Sequence, residues 1–241
     1  MMLFRSSSRV MIHITRYDVN KFKNSFSSPM LDLSKPSFLI ATASILFNPI
    51  FWNIVARNEY HNKTLTRIFG AKYGCYLLAV TIFSLGIFRD YLYHLALQDQ
   101  DVKPIYSLEI LGGVLFVIGN VLVTTSMYRL GVTGTYLGDY FGILMKERVT
   151  GFPFNVTGSP MYDGSTLVFL GTACWYGSIA GLVLSGIVYT CYQVALQFED
   201  PYTANIYSNS GKSEDLESTT ATPTKRSSRI AARKTRITKR D

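Results

Sequence analysis

The chain has 241 residues, of which 48% are hydrophobic, and it carries a formal net charge of +8. Its basic side chains lie mainly at the two ends: residues 1–36 hold six basic and two acidic residues, and residues 209–241 hold nine and four. The middle of the chain is therefore close to neutral. No groove of alternating aromatic and basic residues accompanies the charge, so the composition argues against nucleic-acid binding.

Four stretches contain no charged side chain at all: residues 37–56, 73–88, 110–128 and 164–198. A helix needs roughly 20 apolar residues to cross a bilayer. The pattern predicts an all-α, polytopic integral membrane bundle built from four apolar segments.

The cysteines and histidines give no support for a disulfide framework or a metal site. The three cysteines all lie within apolar segments, where they are typical of small buried side chains: Cys75, Cys174 and Cys191. The three histidines are far apart and lack the spacing of metal ligands: His13, His61 and His94.

The charge distribution divides the chain into three parts. Residues 1–36 are predicted to be a disordered basic extension, residues 37–208 a membrane domain, and residues 209–241 a disordered basic tail. The basic residues of the tail predict that it lies in the cytosol. The N-terminal extension is faintly similar to an organelle transit peptide, which leaves a mitochondrial membrane as an alternative location.

The first apolar segment carries Asn48 and Pro49 at its middle, so it is either a kinked span or a segment that enters the membrane and returns. In either case we expect Asn48, Trp52 and Asn53 to face protein or headgroups, because polar groups are costly among lipid tails.

The third segment contains Gly112, Gly113 and Gly119. Small residues allow helices to approach closely in lipid, and this packing role is the favoured interpretation. The alternative is that Gly119 lets a ligand approach the backbone.

The fourth segment is too long for one span. Its 35 residues would form a helix of about 50 Å, against a hydrocarbon core of about 30 Å. We therefore predict a helical hairpin that turns near Gly177, Ser178 and Gly181. Such a hairpin returns Glu199 and Asp200 to the membrane face that holds Tyr162.

The polar stretch between the third and fourth segments, residues 131–166, is rich in glycine and aromatic residues. Either its aromatics anchor a loop among the headgroups, or they bind a quaternary ammonium group through cation–π attraction. The aromatic candidates for the second role are Tyr136, Tyr140, Phe141 and Tyr162.

Several long motifs carry a resemblance to a known family: FNPIFWNIVAR at 47–57, TGTYLGDYFGIL at 133–144, ERVTGFPFNV at 147–156 and EDPYTANIY at 199–207. With these motifs the chain resembles the phosphatidylethanolamine N-methyltransferase family over residues 37–208. The resemblance implies methylation of the amine headgroup of a membrane phospholipid by S-adenosylmethionine, chiefly the last two steps toward phosphatidylcholine, in the endoplasmic reticulum membrane.

The family places its cofactor at a G-x-G motif and a pair of glutamates. In this chain these positions are Val117-Ile118-Gly119 and Glu199-Asp200. Val117 adds bulk where the family has glycine, whereas Asp200 keeps the negative charge of the second glutamate.

The resemblance and the hairpin together assign roles to the remaining candidates. Glu199 and Asp200 are expected to hold the cofactor together with Tyr162, while Tyr136, Tyr140 and Phe141 are expected to contact the substrate. Among the acidic residues of the matched motifs, Asp139 is the candidate general base for the amine, with Glu147 as a further possibility.

Two other functions remain open at this stage. One is a methyltransferase acting on a different lipid-borne nucleophile, such as a prenylated cysteine carboxylate. The other is a non-catalytic membrane scaffold, which the changes at Val117 and Asp200 leave open.

Overall fold

The computed structural model describes residues 31–100, 108–146 and 149–220, with the backbone only over 210–220. All regular structure among these residues is helical, which confirms the predicted all-α class. The helices are α1 (Pro36–Asn62), α2 (Thr64–Phe69), α3 (Ala71–Gln98), α4 (Glu109–Thr135), a 3-10 turn (Gly138–Phe141), α5 (Pro160–Trp175) and α6 (Ile179–Thr220).

Four of the described helical stretches are long and apolar enough to cross a membrane: Pro36–Asn62, Ala71–Gln98, Glu109–Phe141 and Ile179–Asn209. The chain is therefore a multi-pass membrane protein, as the four apolar segments predicted. Helix α5 has 16 residues, so it is only about 24 Å long and shorter than the hydrocarbon core.

The fourth apolar segment is a helical hairpin, as predicted. Helix α5 ends at Trp175 and α6 begins at Ile179, with Gly177 in the left-handed region at φ 59°. Tyr93 of α3 links the two arms, because its hydroxyl shares its single proton between the carbonyls of Phe169 in α5 and Gly181 in α6, at 2.8 and 3.2 Å.

Helix α1 is continuous through Pro49, so the first segment does not turn back within the membrane. The buried Asn48 donates to the carbonyl of Leu85 in α3 at 3.3 Å. Trp52 and Asn53 both contact α6, which confirms that the polar groups of this segment face protein.

Helices α4 and α5 pack closely through two reciprocal glycine pairs. A Cβ atom on Gly119 would lie 2.5 Å from the carbonyl oxygen of Gly164, and one on Gly112 would lie 2.7 Å from that of Gly171. The two glycines of each helix are seven residues apart, so both pairs lie along one antiparallel contact. The favoured packing interpretation of Gly112 and Gly119 is therefore confirmed.

Helix α6 continues through Pro201 to Thr220 and thus includes the first residues of the predicted tail. The three-part division of the chain stays a prediction. The N-terminal extension up to residue 30 and the tail beyond residue 220 lie outside the described residues.

Candidate active site

The carboxylate of Glu199 is buried at the end of the charge-free part of α6, and its side chain is held by three donors. Trp52 Nε1 and Asn53 Nδ2 donate to Oε1 at 2.7 and 2.8 Å, and the Tyr162 hydroxyl donates to Oε2 at 2.5 Å. A buried charge is tolerated only when it is paired or hydrogen-bonded. Side chains from α1 and α5 therefore converge on one carboxylate of α6.

Tyr162 reaches Glu199 because it lies in the first turn of α5, which begins with Pro160. Proline is favoured there since the first helical N–H has no partner within the helix. The Tyr162 ring lies 6.5 Å from Trp52 and 4.8 Å from Tyr192, measured between centroids. Burial, with the adjacent Glu199 carboxylate, raises the pKa of Tyr162 well above its usual value, so the phenol stays protonated as a donor.

Asp139 contacts α6 one helical turn beyond Glu199, through the side chain of Thr203. It belongs to the 3-10 turn, and its Oδ2 accepts a hydrogen bond from the Thr203 hydroxyl at 3.0 Å. Thr203 follows Glu199 by four residues, a rise of about 6 Å in a helix. The structure thus places the predicted general base close to the Glu199 cluster, which consists of Glu199 and its donors Trp52, Asn53 and Tyr162.

The aromatic residues predicted to contact substrate pack against other side chains of the protein. Tyr140 is fully buried and stacks on Tyr202 with ring centroids 5.2 Å apart and an interplanar angle of 6°. Its hydroxyl makes no well-aligned hydrogen bond among the described residues, and the Thr203 side chain lies nearby. Phe141 is buried in the same cluster, and Tyr136 is half-buried.

The residues that correspond to the G-x-G motif lie on the other side of α5. Gly119 packs against Gly164, whereas Tyr162, two positions earlier in α5, faces the opposite way toward Glu199. Val117 and Ile118 are 60% and 46% exposed on α4. The structure therefore brings Tyr162, Glu199 and Asp139 together but does not bring the G-x-G positions to them.

Asp200, the second member of the predicted acidic pair, is exposed beside the buried Glu199. Glu147, the further candidate base, lies outside the described residues. Within the described ranges, no group of three histidine, cysteine or acidic side chains is placed to hold a metal ion.

Comparison with known proteins decides the family. A profile of the phospholipid methyltransferase family matches residues 108–210. The chain is also 61% identical over 181 residues to a phosphatidyl-N-methylethanolamine N-methyltransferase of Emericella nidulans, an alignment that covers 75% of this chain and 90% of that protein. The chain belongs to the phospholipid methyltransferase family.

More distant members of the family match over similar lengths. The chain is 57% identical over 188 residues to a Saccharomyces cerevisiae protein of the same name as the first relative, covering 76% of this chain and 91% of the relative. It is 46% identical over 184 residues to the phosphatidylethanolamine N-methyltransferase of Homo sapiens, covering 73% and 91%. No solved structure matches the chain. The resemblance inferred from the motifs is confirmed, and the protein is a membrane methyltransferase.

The motifs of this methyltransferase contain two site residues that sequence reasoning did not assign to the site. Trp52 and Asn53 were expected to face protein or headgroups, but the structure shows that both bind the Glu199 carboxylate. Their position in the sequence could have indicated this role, because two hydrogen-bond donors in a segment without charge need a partner inside the protein. Their partner lies about 147 residues away in sequence, which local patterns do not reveal.

Proposed function

We propose that this methyltransferase transfers methyl groups from S-adenosylmethionine to phosphatidyl-N-methylethanolamine and then to its dimethyl product, giving phosphatidylcholine. The names of the fungal relatives support the lipid class. The observation that carries the proposal is the Glu199 carboxylate, held by donors from α1 and α5 where the apolar part of α6 ends. This position is at the membrane boundary, where a lipid amine and a water-soluble donor can meet.

The donor and acceptor groups of the site fit S-adenosylmethionine. An ionised carboxylate has about four acceptor positions, and Glu199 uses three of them for Trp52, Asn53 and Tyr162. The remaining position and the exposed Asp200 carboxylate suit hydroxyl and ammonium donors, which the cofactor carries. When bound, the cofactor supplies a methyl group on a positively charged sulfur that is a good leaving group.

The protein must also provide an amine with a free electron pair. A lipid amine is protonated in water, but burial disfavours the charged form and lowers the pKa of the amine. The Asp139 carboxylate, which is bonded by Thr203 one helical turn from Glu199, is proposed to accept the proton. Its bond from Thr203 fixes its position while leaving acceptor positions free.

Tyr136, Tyr140 and Phe141 are proposed to border the amine on the side of Asp139. Tyr140 stands next to Asp139 in the chain, and its buried hydroxyl lies near the Thr203 side chain, whose own hydroxyl binds Asp139. A ring beside the proposed proton acceptor suits the methylated amine, since aromatic faces attract ammonium groups.

We further propose that the protein lies in the endoplasmic reticulum membrane with its C-terminal tail in the cytosol. The hairpin formed by α5 and α6 brings Tyr162 and Glu199 to one side of the membrane. The cofactor is made in the cytosol, so both residues are proposed to face that compartment. Labelling of Val156→Cys, at a 65% exposed position in the loop before α5, by a membrane-impermeant reagent should succeed from the cytosolic side. Labelling from the lumenal side alone would refute this orientation.

The proposal is tested with the purified full-length chain and labelled S-adenosylmethionine. Phosphatidylethanolamine, its monomethyl and dimethyl derivatives and a prenylated cysteine carboxylate are supplied in turn, and label in each acceptor is measured. We expect transfer to the monomethyl and dimethyl lipids. Binding of the cofactor without transfer to any lipid amine, or transfer only to a prenylated cysteine carboxylate, would contradict it.

A further inference from the structure

Arg57 is the first charged residue after the charge-free part of α1, and it lies beside the Glu199 cluster. It follows Asn53 by four residues, so the two side chains share one face of α1. Asn53 binds Glu199, and Arg57 Nη2 donates to the carbonyl of the adjacent Phe198 at 3.0 Å. A guanidinium group is therefore placed about one helical turn from the donors that hold the acidic site.

The charge of Arg57 has no counterion in the part of the chain that the structure describes. The ion pairs there are Lys35 with Asp99 and Arg89 with Asp90. Arg57 is half-buried, and its Nε is enclosed without a hydrogen-bond partner. Taking a cation partly out of water without a partner is unfavourable, so the unused donors indicate that a ligand anion completes the site.

Aromatic rings hold the guanidinium in place. Its central carbon lies 4.9 Å from the centroid of the Tyr202 ring and 5.7 Å from that of Phe198. Tyr202 is itself fixed because it stacks on the buried Tyr140 ring. Cation–π contacts of this kind orient the group before a ligand arrives, which reduces the entropy lost on binding.

We propose that Arg57 binds the phosphodiester group of the lipid substrate. A guanidinium presents donors in a planar fork that suits phosphate oxygens. Arg57 also lies where the apolar part of α1 ends, which is the depth of lipid phosphates. Two carbon atoms separate the phosphate from the amine in the substrate, so phosphate bound at Arg57 places the amine toward Glu199 and Asp139. This inference rests on the proposed function and names the group that selects phospholipid over other amines.

A purely structural role makes a different prediction. Arg57 also bonds the Phe198 carbonyl of α6, which is next to the Gln197 carbonyl whose helical hydrogen bond Pro201 removes. If this were its whole role, Arg57→Gln would lower thermal stability and leave the affinity for lipid unchanged.

The test compares Arg57→Gln and Arg57→Lys with Arg67→Gln, an exposed arginine on α2 that serves as the matched control. Binding of a short-chain phosphatidyl-N-methylethanolamine to the full-length chain is measured without methyl donor, together with binding of the matching diacylglycerol, which lacks phosphate. We expect Arg57→Gln to weaken phospholipid binding by about 10-fold or more. Arg57→Lys should cause a smaller loss, because lysine keeps the positive charge but lacks the planar fork of donors of a guanidinium group. Diacylglycerol binding and the Arg67→Gln variant should match the wild type.

Cofactor binding distinguishes the remaining explanations. The dissociation constant of S-adenosylmethionine, measured without lipid, should stay within about twofold of the wild type. An equal loss of cofactor affinity would assign Arg57 to the cofactor carboxylate and overturn the proposal, as would unchanged phospholipid binding in a folded Arg57→Gln or Arg57→Lys variant. Because these measurements need no turnover, they stand even if methyl transfer to this lipid is not detected.

Discussion

At the scale of single residues, Glu199 explains how an acidic group is kept inside an apolar bundle. Its carboxylate receives hydrogen bonds from an indole, an amide and a phenol, and no cation is paired with it among the described residues. Neutral donors stabilise the charge without neutralising it. The carboxylate therefore keeps its capacity to attract a positively charged or donating ligand.

The bond from Tyr162 to Glu199 can be removed with little change in shape. A hydrogen bond to a charged group contributes about 1.5–3 kcal/mol, so Tyr162→Phe should lower kcat/KM by about 10-fold or more. Tyr189→Phe is the matched control, because Tyr189 is 51% exposed on the same hairpin. Equal kinetics for both variants in a methyl-transfer assay would show that this bond has no part in the reaction.

The residue-scale contacts were predicted only in part. The pairing of Tyr162 with Glu199 followed from the length of the fourth segment, because a hairpin must return its second arm to the side where the first began. The donors on α1 could not be placed in the same way. The sequence shows that Trp52 and Asn53 need partners, but not which helix supplies them.

At the scale of helices, the glycine pairs between α4 and α5 fix the position of the hairpin. The close approach at Gly119 and Gly164 leaves no room for a Cβ atom, since the nearest atoms are backbone. Helix α5 is held against α4 on one face and presents Tyr162 to Glu199 on the other. The G-x-G position is thus coupled to the acidic site through α5.

Gly119→Ala tests this coupling. The added methyl group must push α5 away from α4, and overpacking of this kind costs about 1–3 kcal/mol, which corresponds to a fall in Tm of about 5 °C in a protein of this size. Gly186→Ala is the control in α6, because a Cβ there meets nothing within 4 Å. Thermal unfolding in detergent should separate the two variants, and equal Tm values would contradict the packing role.

The long apolar helices were predicted from the sequence. Runs without charge marked the four segments, and Gly177 marked the turn of the hairpin, because its left-handed backbone suits glycine. The continuation of α6 through Pro201 was not expected. Pro201 removes only the hydrogen bond to the Gln197 carbonyl, which does not end a helix that is packed on its neighbours. Arg57 donates to the neighbouring Phe198 carbonyl.

At the scale of the whole molecule, the positive charge lies in the two ends of the chain and the candidate site lies in its nearly neutral middle. Deletion of residues 1–30 or of 221–241 should therefore leave the specific activity of the purified enzyme within about twofold of the wild type, since both segments lie beyond the helices that carry the site. Methyl transfer in detergent micelles measures this. An inactive but folded deletion variant would show that an end of the chain contributes to the site.

The Glu199 carboxylate is proposed to organise methyl transfer at the membrane boundary. The most direct measurement is transfer of label from S-adenosylmethionine to phosphatidyl-N-methylethanolamine by Glu199→Gln, with the exposed Glu109→Gln of α4 as control. Loss of a charged partner worth about 3 kcal/mol predicts a fall of about 100-fold for Glu199→Gln, with Tm close to that of the wild type and full activity in the control. A folded Glu199→Gln enzyme with activity within twofold of the wild type would contradict this role of Glu199.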